Sequence, residues 1–146
     1  MTVKAISGST YTTGPQIGTG SYGNVYKVST ADGRVFAFKK FHEDDYDELD
    51  LGALREISIL KILQGNKEGI VSMIDIVISV NSIGIIMPYY PFNLGGVIKE
   101  ELLTRRQQDH VARQLVKTLA FLKENQIIHR DIKPDNVLLD ENYSPI

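Results

Sequence analysis

One short stretch of the sequence holds most of the residue types that could do chemistry. Residues 127–136 read IIHRDIKPDN, and Pro134 is expected to keep them from being helical, so a loop would present several polar groups toward one point. The Asp131 carboxylate could accept a hydroxyl proton, and the Asn136 carbonyl could bind a hard cation such as Mg²⁺. The Lys133 ammonium could neutralise a phosphoryl group in transfer. A polar surface turn is the alternative interpretation.

A second candidate site lies near the N-terminus, where GTGSYGNV places glycines at positions 18, 20 and 23. This spacing alone fits a dinucleotide fingerprint, another kind of phosphate loop or a simple turn. A dinucleotide site requires a helix directly after the glycines and an acid about 20 residues further on. Here the residues after Gly23 favour a strand, and position 38 is Phe38. A glycine-rich hairpin over phosphates fits better, because absent side chains let backbone N–H groups approach an anion.

A candidate charged pair accompanies this hairpin. Side chains alternate along a strand, so Ala37 and Lys39 are expected on one face, with Ala37 and Val25 forming an apolar lid. A buried ammonium needs a partner. Glu56 in the following predicted helix is the best candidate for Lys39. A surface pair between Glu56 and Arg55, or between Glu56 and a lysine, is the alternative.

The elements that must position these residues follow from hydrophobic periodicity. Residues 1–10 are small and polar and predict a loose tail. Residues 11–41 predict three short strands with a hairpin at Asp32–Gly33. The acidic stretch 42–50 is interpreted as a solvated loop, and residues 51–63 as an amphipathic helix.

The remaining residues predict a strand pair and then helix. Residues 70–90 contain two β-rich runs that would pair, and a short helix is expected soon after them. Thr104 and Gln107 match a capping box. The helix that they begin has one apolar face, made of Val111, Leu115, Leu119 and Leu122. The order of elements indicates an α+β fold in two parts, with a boundary near Tyr90–Pro91.

Composition excludes several classes of protein. The net charge of −2 gives no basic footprint for nucleic acid or for a membrane surface. The chain has no cysteine, which excludes disulfides and cysteine-based zinc sites. The N-terminal residues form no apolar signal segment.

Three motifs, in this order, resemble those of eukaryotic protein kinases. GTGSYGNV is similar to the glycine loop, AFK to the strand motif that carries the lysine, and HRDIKPDN to the catalytic loop. The resemblance covers about residues 11–146, and ALREISILKIL and AFKK are most similar to the cyclin-dependent kinase-like group. It implies a complete N-terminal lobe of antiparallel sheet plus helix over about 11–90. Only the beginning of the helical C-terminal lobe would follow, over about 91–146.

The resemblance implies a role for each matching residue. Lys39 would bind the α- and β-phosphates of ATP and pair with Glu56. Asp131 would orient and deprotonate the substrate hydroxyl, Lys133 is typical of Ser/Thr kinases, and Asn136 would ligate one Mg²⁺. The other nucleotide contacts would come from the glycine loop, the adenine pocket and the hinge: Ile17, Gly18, Thr19, Gly20, Ser21, Tyr22, Gly23, Val25, Ala37, Met87, Pro88, Tyr90 and Leu138.

Regulation and partners are also implied by the resemblance. Arg130 would contact a phosphorylated activation loop, and Ser21 and Tyr22 occupy positions of inhibitory phosphates in cyclin-dependent kinases. A protein substrate and a cyclin-like activator at the helix over 51–63 are implied, with no nucleic acid and no membrane. The implied location is intracellular, in the cytoplasm, the nucleus or both.

The D-F-G motif is absent from the 146 residues and would be expected shortly after Ile146. The sequence therefore resembles a Ser/Thr kinase truncated before that motif. The implied function is transfer of the ATP γ-phosphate to a protein hydroxyl, with this chain inactive by itself. The alternative is a catalytically silent kinase-like module that binds nucleotide or a protein partner.

Overall fold

The computed structural model describes residues 1–20, 23–41, 51–65, 69–79 and 82–146. They form two compact units. The first comprises Met1–Gly65 and Val71–Tyr89, and the second comprises Tyr90–Ile146 with the short segment that ends at Ile70. The chain passes from the first unit to the second between Tyr89 and Tyr90, next to the boundary predicted near Tyr90–Pro91. The acidic stretch 42–50 lies outside the described residues.

The first unit is built on a six-stranded antiparallel sheet with the order β1-β2-β3-β4-β6-β5. Its strands are β1 (Thr2–Lys4), β2 (Thr10–Gly20), β3 (Gly23–Ser29), β4 (Val35–Phe41), β5 (Asp75–Ser79) and β6 (Ser82–Pro88). The three strands predicted over 11–41 are confirmed. So is their hairpin, in which Ser29 pairs with Val35 and Gly33 adopts a φ of 84°. The first of the two runs predicted over 70–90 is shorter than expected, because its strand begins only at Asp75.

Helix α1 (Leu51–Ile62) confirms the helix predicted before the second strand pair. Ile57 is buried with Phe41 of β4 and Ile85 of β6, so one face of α1 packs against the sheet. Tyr11, Val28, Phe38, Val77 and Ile86 belong to a separate buried cluster. The sheet therefore carries two apolar cores, because alternate side chains of its central strands point to opposite faces.

The second unit is mainly helical. Its elements are β7 (Phe92–Asn93), α2 (Leu94–Lys99), α3 (Arg105–Glu124) and β8 (Leu138–Leu139), where β7 and β8 form a two-stranded ladder. The predicted capping box is confirmed, since the Thr104 hydroxyl accepts from the Gln107 N–H and the Gln107 side chain accepts from the Thr104 N–H. None of the described helices combines the length and apolarity that a membrane crossing needs.

The apolar face of α3 is only partly buried. Val111 and Leu122 are buried, and Leu115 is half-buried against the same core as Leu139. Leu119 was predicted on this face, but 43% of it is exposed. At about 100° per residue, Leu119 falls at the edge of the arc that the other three residues define.

The predicted loose tail over residues 1–10 is wrong. Strand β1 pairs with β2 through Val3 and Tyr11, and Ala5 forms a bridge to Val77 of β5. The first residues therefore form one outer strand of the sheet and also contact the other outer strand, β5. Val3 and Ala5 alternate with polar residues, but a pattern of two apolar positions is too short to predict a strand.

A buried carboxylate fixes the end of this N-terminal segment. The Ser7 hydroxyl donates to the Asp75 carboxylate, which is 9% exposed, and the Ile76 N–H donates to the other carboxylate oxygen at 2.8 Å. Buried polar groups need such partners, because an unmade hydrogen bond leaves the cost of desolvation uncompensated. Ser7 thus links the N-terminal segment to the start of β5.

We expect Ser7→Ala to destabilise the protein by about 1–3 kcal/mol, because it removes one donor from a buried carboxylate. Urea unfolding followed by circular dichroism measures the change. Ser72→Ala is the matched control, since Ser72 is exposed and has no hydrogen bond within the described part of the chain. Equal stability of the two variants would contradict a structural role for the N-terminal segment.

Candidate active site

A strip of small and apolar side chains crosses one face of the sheet beside Lys39. Val25 lies opposite Lys39, and Ala37 lies opposite Met87. Residues directly opposite in neighbouring strands share a face, and alternate residues of one strand do too. The expectation that Val25, Ala37 and Lys39 share a face is therefore met, and Gly18, opposite Val25, extends the strip onto β2.

Lys39 forms a two-pronged ion pair with Glu56 of α1. The Lys39 Nζ lies 2.7 Å from each Glu56 carboxylate oxygen, and the two side chains are 19% and 33% exposed. The ammonium also lies 5.0 Å from the centre of the Phe41 ring. The structure therefore has the predicted pair between Lys39 and Glu56 and not the alternative, a surface pair between Glu56 and Arg55, among the described residues. Partial burial makes the pair stronger than a fully exposed one.

The glycine-rich segment is a hairpin between β2 and β3. Gly20 pairs with Gly23, and strand rather than helix follows Gly23, which excludes the dinucleotide fingerprint. Gly23 has a φ of 148°, and a Cβ there would lie 2.2 Å from the Lys40 carbonyl oxygen. Ser21 and Tyr22, at the tip, lie outside the described residues.

Polar contacts hold the two strands of this hairpin together near its tip. The Thr19 hydroxyl lies 2.5 Å from the Asn24 side-chain oxygen, to which the Gln16 amide also donates at 3.3 Å. Asn24 was not predicted as a site residue, although a polar residue directly after the last glycine was a usable signal. Ile17 lies within the register irregularity between Gln16 and Gly18 and is 45% exposed.

The predicted catalytic residues of the second unit form a compact polar cluster. The Asn136 amide donates to the Asp131 carboxylate at 2.8 Å and to the Asp131 backbone carbonyl at 2.9 Å. The Lys133 Nζ lies 3.1 Å from the same carboxylate oxygen. Pro134 was expected to prevent a helix, yet it begins a single 3-10 turn, Pro134–Asn136. Proline suits the first helical position, which has no N–H bond to lose.

The backbone before Asp131 is also constrained. Arg130 has a φ of 69°, a conformation that non-glycine residues seldom adopt. The His129 ring accepts the Asp131 N–H at its Nδ1, at 3.3 Å. His129 had no predicted role, although its place two residues before the aspartate is visible in the sequence. These two features set the direction of the chain into Asp131.

Lys133 and Asn136 also lower the pKa of the Asp131 carboxyl group. The hydrogen bond from Lys133, followed by that from Asn136, holds the Asp131 pKa below its usual value. Both donors stabilise the carboxylate form. Because the folded pKa lies below the unfolded one, this stabilisation is present above the unfolded pKa and is lost as the pH falls through the folded pKa.

Asn136 has the chemistry of a magnesium ligand. Its amide nitrogen is directed at Asp131, which leaves the side-chain carbonyl with no donor in the described ranges. Those ranges contain no cluster of three acidic or histidine ligands. Mg²⁺ commonly binds one or two protein ligands together with waters and phosphate oxygens, so a single carbonyl fits part of such a site.

The residues predicted for the hinge and the adenine pocket are divided between the two units. Met87 and Pro88 end β6 in the first unit, while Tyr90 and Leu138 belong to the second. Pro88 lies opposite Phe36, and Leu138 lies opposite Asn93. Burial, and then the nearby Asp140 carboxylate, raise the pKa of Tyr90 above its usual value. Their contacts with adenine stay predictions.

A model of the protein kinase domain matches residues 11–145. The chain belongs to the protein kinase family. The CTD kinase subunit alpha of Schizosaccharomyces pombe is 34% identical over 131 residues, which cover 87% of this chain and 22% of the relative. A probable cell division protein kinase of Encephalitozoon cuniculi is 35% identical over 127 residues, 86% of this chain and 40% of the relative.

A third relative agrees with the predicted similarity to the cyclin-dependent kinase-like group. The cyclin-dependent kinase 4 homolog of Caenorhabditis elegans is 34% identical over 139 residues, 88% of this chain and 34% of the relative. The predicted α+β kinase fold, with the N-terminal lobe and the start of the C-terminal lobe, is confirmed. The chain spans between about a fifth and two fifths of the length of these kinases.

We expect Gly23→Ala to destabilise this kinase by about 1–3 kcal/mol, because the new Cβ would collide with the Lys40 carbonyl at an unfavourable φ. Gly20→Ala is the matched control, since a Cβ there meets no described atom within 4 Å. Its effect should stay below about 1 kcal/mol in either direction. Thermal unfolding measures both, and similar losses would argue against the hairpin geometry.

We expect Lys133→Met to raise the pKa of Asp131 toward its ordinary value, because it removes the donor that stabilises the carboxylate most. Asn136→Ala should raise it less, as the weaker of the two contributions. Carbon-detected NMR titration of the carboxyl group measures both shifts. An unchanged midpoint in Lys133→Met would show that the two side chains do not interact in solution.

Proposed function

We propose that this chain carries the nucleotide-binding and catalytic-loop residues of a Ser/Thr protein kinase that transfers the ATP γ-phosphate to a protein hydroxyl. The Lys39–Glu56 pair carries the proposal, because its geometry holds a half-buried ammonium in one place. A fixed cation beside a strip of small and apolar side chains suits a phosphate tail attached to a flat ring. The chain spans between about a fifth and two fifths of the length of the related kinases, so we assign transfer to the complete kinase domain.

Each unit contributes separate chemistry to the proposed reaction. Lys39 binds the α- and β-phosphates and is kept in place by Glu56. Asp131 orients the attacking hydroxyl and accepts its proton. Lys133 neutralises charge that develops on the transferred group, and it supports a Ser/Thr rather than a Tyr substrate.

Asn136 would supply one oxygen ligand to the Mg²⁺ that accompanies ATP. When bound, that ion neutralises phosphate charge. The hydrogen bonds from Asn136 to Asp131 connect the ligand to the catalytic carboxylate. Asp131 is ionised at neutral pH, since its pKa lies below the usual value, and it is therefore ready to accept the hydrogen bond of an incoming hydroxyl.

An activator of cyclin type is a further part of the proposal. Leu51 and Ile62, at the two ends of α1, are 65% and 73% exposed. A protein that covers them would stabilise the helix that holds Glu56. The name of the Caenorhabditis elegans relative, a cyclin-dependent kinase 4 homolog, supports this assignment. We place the activity inside the cell, in the cytoplasm or nucleus, where ATP and such activators occur.

The second candidate function is a catalytically silent module that binds nucleotide or a protein partner. Its nucleotide-binding part needs only the Lys39–Glu56 pair and the strip of small side chains beside it, and no residue of the loop around Asp131. A phosphotransfer assay with a Ser/Thr peptide library separates the two functions. Transfer by any protein that contains these residues, sensitive to Asp131→Asn, would exclude the silent module.

We expect MgATP to stabilise the folded 146-residue chain by about 2.7 kcal/mol at 100 times its dissociation constant. Lys39→Met should abolish this effect, because it removes the proposed phosphate ligand. Asp131→Asn is the matched variant that should retain it, since it removes the proton acceptor and leaves the phosphate ligand. Thermal unfolding with and without MgATP measures the shift. Absence of any shift in a folded chain would overturn nucleotide binding.

A further inference from the structure

Helix α3 carries a row of basic side chains along one face. Arg106, His110, Arg113 and Lys117 follow one another at intervals of four, three and four residues, and all four are exposed. At about 100° per residue they fall within about 60° of one another around the helix axis. We call these four residues the basic row.

The basic row is opposite the face that holds α3 in its unit. Val111 and Leu122 are buried, and Leu115 packs against the same core. These positions lie on average about 150° from the basic row. The row is therefore available to solvent along its length, and its side chains can be replaced without changing the core.

The cations of the row lack carboxylate partners, unlike a neighbouring arginine. Arg105 pairs with Asp109, at 3.6 Å, one helical turn along. Within the described residues, Arg106, Arg113 and Lys117 take part in no ion pair. The helix carries five Lys/Arg against two Asp/Glu, whereas the whole chain has a net charge of −2. Positive charge is thus concentrated on this helix, and these three cations of the basic row have no carboxylate partner among the described residues.

The dimensions of the row select one kind of ligand. Arg106 and Lys117 are about 16 Å apart along the helix axis, and successive members rise by about 5 Å. Alternate side chains of an extended peptide are about 6.6 Å apart, so four alternate carboxylates could follow the row. A membrane surface or a nucleic-acid backbone would also meet Asp109 and Glu124, which lie on or beside the row and repel a continuous anion.

We propose that the basic row is a docking surface for an extended, Asp/Glu-rich segment of a protein partner. Charge complementarity supplies the attraction, and the unpaired guanidinium groups supply planar donors that match carboxylates. The inference is independent of the proposed phosphotransfer, because it uses no residue assigned to nucleotide or to catalysis. It concerns the capture of a protein, whether a substrate or another partner.

The test is fluorescence anisotropy with a labelled Glu-Ser-Glu-Ser-Glu-Ser-Glu peptide and the full 146-residue chain. We expect saturable binding that weakens as salt is added, and no binding of the Gln-for-Glu peptide. The triple variant R106Q/R113Q/K117Q should weaken binding about tenfold, which matches the summed contributions of three exposed ion pairs. The charge-retaining variant R106K/R113K/K117K should keep most of the affinity.

The matched control is K4Q/K61Q/K123Q, which removes the same charge from three exposed lysines outside the basic row. We expect its affinity to change less than twofold. Circular dichroism of every variant confirms that it is folded. Equal weakening by the two triple variants would overturn the proposal, since net charge alone would then explain binding. Stronger binding to phosphatidylserine vesicles or to single-stranded DNA would overturn it too.

Discussion

The ion pair between Lys39 and Glu56 depends on more of the first unit than any other contact. It requires β4 to hold its register with β3 and β6, because a slip of one residue would turn Lys39 to the opposite face of the sheet. It also requires Ile57 to be buried, since that packing rotates α1 so that Glu56 faces the strand. The pair therefore forms only when the register of β4 and the packing of α1 are both correct. Because the pair is partly buried, a change in either of them would weaken it.

The catalytic loop is held by a different kind of constraint. Asp131, Lys133 and Asn136 lie within six residues of one another, and their mutual hydrogen bonds need no distant strand. Pro134 favours the 3-10 turn that brings Asn136 back toward Asp131. One half of the proposed chemistry therefore depends on long-range packing, while the other depends on a local turn.

This difference explains what the sequence could predict. Lys39 and Glu56 follow from periods of two and 3.6 residues, the capping box of α3 follows from the spacing of Thr104 and Gln107, and the structure has them as expected. The strand at residues 2–4 follows from no such pattern, because its own alternation is short and the bridge from Ala5 to Val77 joins residues far apart in the chain. Leu119 was misplaced for another reason: it lies at the edge of the apolar face of α3, where the core no longer covers it. Asn24 acts through two local side-chain hydrogen bonds and His129 through one, and such contacts leave no periodic signal.

The loop that bears Asp131 gains little from packing. Ile128 and Ile132, on either side of it, are 77% and 55% exposed, and together with Leu119 they line an open groove of about 500 Å³. Buried, each such side chain would contribute about 1.5–3 kcal/mol, so the exposed loop forgoes that stabilisation. Its geometry rests instead on the hydrogen bonds of Asn136, the Lys133 contact and the left-handed Arg130. Any protein surface that covered these isoleucines would therefore also stabilise the position of the Asp131 carboxylate, so occupation of the groove and the geometry of this loop are thermodynamically linked.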